Sequence, residues 1–184
     1  AAIMAILFGK ELAVSSQGDL KFGLIAGTIL FTAFFCQTYG IKFTAPANNA
    51  FLTSTNVIMV PFLSLILFKQ NPGLRSTVCA FVCFIGAAVL SWSPGVGIVF
   101  NAGDRLSLLC AFLFACHYAY LGLSAKRICS AAVLSFFQLA VVSALSLITF
   151  LLFERPPFSV AALKAGTGAI LYLALFSTGY CYFV

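Results

Sequence analysis

Residues 27–61 read GTILFTAFFCQTYGIKFTAPANNAFLTSTNVIMVP. Two long apolar runs meet there at a short polar hinge, Lys42-Phe43-Thr44-Ala45-Pro46. Runs of about twenty apolar residues have the length that carries a helix across a bilayer core. Just inside these two runs stand side chains that hydrocarbon rejects, namely Gln37, Asn48, Asn49 and Asn56. A membrane reading of the chain has to say what such amides do.

The composition supports that reading. Of the 184 residues, 62% are hydrophobic and 8% are charged, whereas a soluble domain carries about 25% charged residues. In lipid each backbone group must find its partner within the chain, so repeated long apolar runs mean a helical bundle. A β-barrel would show strands of about ten residues with alternating polarity, and no such alternation is present. The formal net charge is +6, and the ten Lys and Arg lie in the short breaks between apolar runs. That is the pattern of membrane flanks, not the stripe that a nucleic-acid partner needs. The seven cysteines include no Cys-x-x-Cys pair and no His-containing group at zinc spacing. They read as buried packing residues, so no metal or cofactor is expected.

The chain opens inside an apolar run, residues 1–8, and stops inside another at Val184, as expected of a fragment of a longer membrane protein. Six further spans are readable at about 21–41, 45–68, 74–92, 104–125, 129–153 and 163–184. The breaks carry turn chemistry, Asn71-Pro72-Gly73, Ser93-Pro94-Gly95 and Glu154-Arg155-Pro156-Pro157. Their shortness predicts antiparallel neighbours. The longest break, 93–103, separates two halves, 1–92 and 104–184. Residues 27–39 align with 168–180, with Gly, Ile, Leu, Ala, Phe and Tyr at the same offsets, so that Tyr39 answers Tyr180. The two copies are the first and sixth readable spans, and an odd number of crossings reverses orientation. An inverted repeat of this kind is the architecture of many secondary transporters. Lys10, Lys21, Lys69, Arg75, Lys126 and Arg127 fall on one side, against Lys42, Arg105, Arg155 and Lys164 on the other. This bias predicts that the Lys69/Arg75 and Lys126/Arg127 loops are cytoplasmic.

Polar residues inside the spans fall on helix faces. Asn49, Thr53 and Asn56 are spaced i, i+4, i+7. Such a face meets either a water-filled cavity or another helix through hydrogen bonds, and both readings fit. Pro61, further along the same run, is expected to kink the helix. In the fourth span Ser107, Cys110, His117 and Ser124 share a face. His117 is the only histidine and lies near mid-span. It fits a substrate contact or proton site, since histidine titrates near neutrality, and it equally fits a neutral packing residue. Gln138, with Ser135 on its face, is a further mid-span amide. Tyr118 and Tyr120 lie deeper than the tyrosines near span ends. Cys79, Cys83, Gly86 and Ala87 are expected to form a small face for close packing.

No Asp, Glu, Lys or Arg stands at mid-span, and no Gly-x-x-x-x-Gly-Lys phosphate loop occurs. An intramembrane enzyme needs acid, base or metal ligands, so the chain is not expected to be one.

The chain resembles the EamA-like family of the drug/metabolite transporter superfamily over nearly its whole length. The resemblance rests on Ala45-Pro46-Ala47-Asn48-Asn49-Ala50-Phe51-Leu52-Thr53-Ser54 followed by Pro61, and on Leu74-Arg75 leading into Phe84-Ile85-Gly86-Ala87-Ala88-Val89-Leu90-Ser91. Gly103-Asp104-Arg105-Leu106, Gln138 and Leu171-Tyr172-Leu173-Ala174-Leu175-Phe176 continue it in order. It implies ten transmembrane helices in two inverted five-helix halves. This chain would hold the C-terminal part of the first repeat (1–92) and the N-terminal part of the second (104–184), lacking the first helix and the last ones. The family often has an acidic residue after its fourth helix, where this chain has Phe68-Lys69-Gln70.

The implied function is secondary transport, as an exporter, of a small amino-acid-like or drug-like metabolite by alternating access in a bacterial-type plasma membrane. The implied partners are that solute, the lipid bilayer and a coupling ion of unassigned identity. Candidate cavity residues are Gln37, Tyr39, Asn49, Thr53, Asn56, His117, Tyr118, Gln138 and Tyr180. The alternative is a non-transporting scaffold or receptor built on the same bundle.

Overall fold

A chain that must satisfy its own backbone in hydrocarbon coils into helices. The computed structural model describes residues 17–69, 73–91, 101–124, 131–153, 166–168 and 171–172. These form α1 (Gln17–Ile41), α2 (Pro46–Ser54), α3 (Asn56–Phe68), α4 (Gly73–Ser91), α5 (Ala102–Ser124) and α6 (Ala131–Phe153), and among the described residues there is no strand. Among the described residues, four stretches are long and apolar enough to cross a membrane: Gly18–Ile41, Pro46–Leu67, Ala102–Leu123 and Ala131–Phe153. The apolar part of α4, Gly73–Val89, is shorter. The run at 1–8, most of the break at 93–103 and most of the expected span at 163–184 lie outside the described residues.

The polar hinge turns the chain between α1 and α2. Lys42 N–H donates to Tyr39 O, and the N–H groups of Phe43 and Thr44 both donate to Gly40 O. Ala45 is extended, as a residue before proline prefers, and Pro46 opens α2 at the position where a missing N–H costs nothing.

The second apolar run is two helical segments joined at Thr55. Ser54 Oγ donates to Phe51 O and Thr55 Oγ1 to Leu52 O, each at 2.6 Å. The Thr55 N–H also turns to Leu52 O, in a tightened i→i−3 bond. Hydroxyls bonded back onto helix carbonyls bend helices, and two in succession stand at the interruption here. Pro61 lies buried within α3, six residues further on, and the helix continues through it to Phe68.

The described residues fall into two compact units. The first joins the start of α1, up to Gly27, with α6. Gly23 and Gly27 face α6 so closely that neither leaves room for a side chain. A methyl at Gly23 would collide with Phe137, and one at Gly27 would lie 2.7 Å from Val141 Cβ and 2.9 Å from the Gln138 carbonyl oxygen. The Gly-x-x-x-Gly spacing is a known signature of close helix packing in membranes.

The second unit, Thr28–Arg127, holds the rest of α1 with α2 to α5. Here α5 packs on both α2 and α3, and α4 also packs on both. Phe34 meets Phe114 edge-on at 5.3 Å, and Phe51 pairs with Phe84 at 5.5 Å. The α4 packing face differs from the sequence expectation. Cys79 and Cys83 are exposed and Gly86 has nothing within 4 Å, while Ala80 is buried and Phe84 half-buried. Four-residue spacing of small side chains marks a helix stripe without saying that it is the stripe in contact. Phe84, one position from Cys83, offers the larger contact surface and turns α4 accordingly.

Polarity runs inside-out. Leu24, Ile25, Phe62, Ile66, Val82, Ile85, Ile148 and Leu152 are exposed, whereas His117, Gln138, Asn49, Asp19 and Ser107 are among the largest side chains fully removed from the surface. In water such exposed apolar area marks an interaction surface; against lipid tails it needs no cover. The outward threonines keep their hydroxyls satisfied within the helix, Thr32 on Thr28 O and Thr38 on Phe34 O, at 2.8 Å each.

Candidate functional site

The polar residues of the second unit converge where the hinge meets the start of α5. Asn101 stands just before the helix, and its Oδ1 accepts the Asp104 N–H at 3.0 Å. The Asp104 carboxylate reaches back to accept the Asn101 N–H at 2.9 Å. This reciprocal pair is a capping box, which satisfies two of the N–H groups a helix start leaves open. A carboxylate in the first turn also complements the helix dipole. Its other oxygen accepts from Thr44 Oγ1 at 2.6 Å, the short length typical of a bond to a charged acceptor. Asp104 is 4% exposed and Thr44 9%.

One turn into α5, Ser107 Oγ donates to Gly103 O at 2.9 Å and accepts from Asn49 Nδ2 at 2.8 Å. Both Asn49 and Ser107 are buried. The main chains of α1 and α5 approach closely enough that glycine is needed at 103 and fits tightly at 40. A methyl on Gly103 would sit 2.6 Å from Gly40 O and 2.8 Å from Thr44 N, and one on Gly40 would sit 3.0 Å from Asn49 Nδ2. Any side chain at Gly103 would therefore displace backbone.

Beyond Ser107 the same face of α5 presents Cys110, Phe114 and His117, all buried. The Thr53 hydroxyl lies near the Cys110 thiol. Its oxygen is shielded from solvent and has no hydrogen-bond partner. His117 is 2% exposed and stands edge-on to Tyr118 at 5.6 Å.

The expected site residues thus separate. Asn49, Thr53 and His117 share the interior of the second unit with Ser107 and Cys110. Asn56 and Gln37 are half-buried. Tyr39 is half-buried, with its ring 4.7 Å from Phe35 and with Lys42 Nζ 4.5 Å above it. Tyr118 projects outward, 48% exposed and stacked on Phe114. Gln138 is fully buried in the first unit, where its backbone lies against Gly27. Tyr180 lies outside the described residues.

Thr44, Asp104 and Gly103 were not among the candidates. Asp104 sits at a span end, where a carboxylate is ordinarily solvated, and only its three hydrogen-bonded contacts reveal it as interior. The Asn101-x-x-Asp104 spacing was the available signal. Among the described residues no group of three His, Cys, Asp or Glu side chains is placed to hold a metal ion.

The apolar exterior, the polar interior and the span-length helices define an all-α, multi-pass integral membrane protein. A family model described as the EamA-like transporter family matches residues 1–92, half of the chain, and the chain belongs to that family. It is 30% identical over 142 residues to an uncharacterized transporter of Archaeoglobus fulgidus, covering 77% of this chain and 44% of that protein. It is 26% identical over 157 residues to the uncharacterized transporter YyaM of Bacillus subtilis, covering 84% of this chain and 51% of that one. The chain thus spans about half the length of these relatives. A solved crystal structure shares the fold with a TM-score of 0.62 at 17% identity, over 97% of this chain and 72% of the other.

Proposed function

We propose that the protein of which this chain is part is a secondary transporter that exports a small organic metabolite by alternating access of two inverted halves. The observation that carries the reading is the polar interior of a span-length bundle. Asn49, Thr53, Ser107, Cys110 and His117 are set between α2, α3 and α5 in a family named for transport. Buried polar groups in a membrane mark solute or ion pathways. Gln37, Asn56 and His117 offer hydrogen bonds to an amino-acid-like or polar drug-like solute. Tyr39 offers aromatic surface, and Pro61 shapes the wall. His117 carries any coupled proton, and the Lys69/Arg75 side faces the cytoplasm. The function requires no catalytic group.

The test is reconstitution of the intact protein in liposomes with efflux measured over a panel of amino acids and related metabolites. Substrate-specific efflux is expected, and a verified folded protein that moves none of them overturns the reading. One observation favours a second reading, a non-transporting scaffold: Asn49 spends its amide N–H on Ser107, as packing requires. Labelling of Cys110 and Cys116 by a water-soluble thiol reagent separates the two. A wet path gives modification, and a packed scaffold gives protection.

A further inference from the structure

The contacts between the α1–α2 hinge and the start of α5 are built unlike the rest of the bundle. Elsewhere in this unit aromatic rings meet, and the neighbouring polar pair, Asn49 with Ser107, lies inside the bundle. Here one side-chain hydrogen bond, Thr44 Oγ1 to Asp104 Oδ1, holds a turn of four residues onto a helix end. The adjoining contact is bare main chain, Gly103 against Gly40 O and the Phe43–Thr44 peptide. Asp104 is fixed on the α5 side by Asn101, so its carboxylate stays in place whether or not Thr44 is bound. The acceptor that Thr44 meets is thus held independently of the hinge. Directly beyond the contact lie Asn49 with Ser107, and then Cys110 with Thr53, at the interior polar face.

We propose that the Thr44–Asp104 hydrogen bond and the Gly40–Gly103 backbone contact form a latch over this end of the polar interior, which releases the hinge when the interior opens to water. The assignment rests on the transport reading for its purpose. The physical claim, a releasable contact controlling access to Cys110, stands on the geometry. A molecule with two such states responds to loss of contacts present in only one of them by shifting toward the other. A bond to a charged acceptor is strong enough that its loss shifts the balance by about tenfold or more.

The experiment uses the intact protein in liposomes, with single-cysteine versions keeping Cys110, Cys79 or Cys83. The readout is the rate of modification by a membrane-impermeant maleimide. Thr44→Val removes the donor while keeping the shape, and Gly103→Ala wedges the main chains apart while keeping every side-chain donor and acceptor. Each is expected to raise the Cys110 rate about tenfold, with Cys79 and Cys83 on the lipid face of α4 unchanged. Thr44→Ser, which keeps the hydroxyl, is expected to match the unmodified protein. An unchanged Cys110 rate in both Thr44→Val and Gly103→Ala overturns the latch. So does a parallel rise at all three cysteines, which indicates general loosening. Because labelling needs no substrate, a failure of efflux sinks the transport reading without touching this result, and efflux without a labelling change sinks the latch alone.

Discussion

Asn49 shows how a single residue resolves into structure. An amide in hydrocarbon must bond, and this one donates to Ser107 Oγ at 2.8 Å. The pair is worth about 0.6–2 kcal/mol by the measure of interhelical hydrogen bonds in membranes. A double-mutant cycle of Asn49→Ala and Ser107→Ala, followed by denaturant unfolding in detergent, is expected to return a coupling energy in that range. Additive single effects would mean the two side chains act independently. Asn49 was readable as a buried polar residue from its place in an apolar run. Its partner was not, because Ser107 lies 58 residues away and only packing brings it near.

Among elements, α1 is defined by its smallest residues. Gly27→Ala places a methyl 2.9 Å from the Gln138 carbonyl oxygen, and since backbone yields poorly the expected loss is about 1–3 kcal/mol. Gly86→Ala meets nothing within 4 Å and is expected not to lower stability. Thermal unfolding of the two variants side by side checks the contrast. Gly27 carries a Gly-x-x-x-Gly spacing with Gly23 that Gly86 lacks, and the contacts show what that spacing serves. In the second run, the Ser54→Ala, Thr55→Ala double variant frees the Phe51 and Leu52 carbonyls to accept ordinary helical bonds. Backbone amide exchange at residues 55–59 is then expected to slow. Unchanged exchange would assign the interruption to another cause, with Pro61 the first candidate.

For the whole molecule, the proposed coupling makes a pH prediction. If His117 carries the proton, His117→Gln is expected to abolish the pH dependence of efflux in liposomes while the folded yield stays near that of the unmodified protein. Glutamine keeps hydrogen-bonding capacity and cannot titrate, so a retained pH dependence removes His117 from the role. Its burial at 2% exposure, on the α5 face that continues from Ser107 and Cys110, makes it the histidine to test.

Taken alone, the sequence determined the class of protein and, to within a few residues, the bounds of the described helices, though not the break at Thr55. Apolar run length answers directly to bilayer thickness, and Pro46 and the polar hinge before it mark where the chain turns. Hydrogen bonding within each helix is local, so these features are written in neighbouring residues. Only the tertiary structure decided which face of each helix points inward. In lipid the apolar residues have no preference between neighbours and solvent, so hydropathy cannot orient a helix. Small residues and rare polar side chains do that through partners distant in sequence, as Gly27 does against Gln138, Asn49 with Ser107 and Thr44 with Asp104. The hinge first looked like a polar gap between two spans, and packing made it a contact holding one span to another.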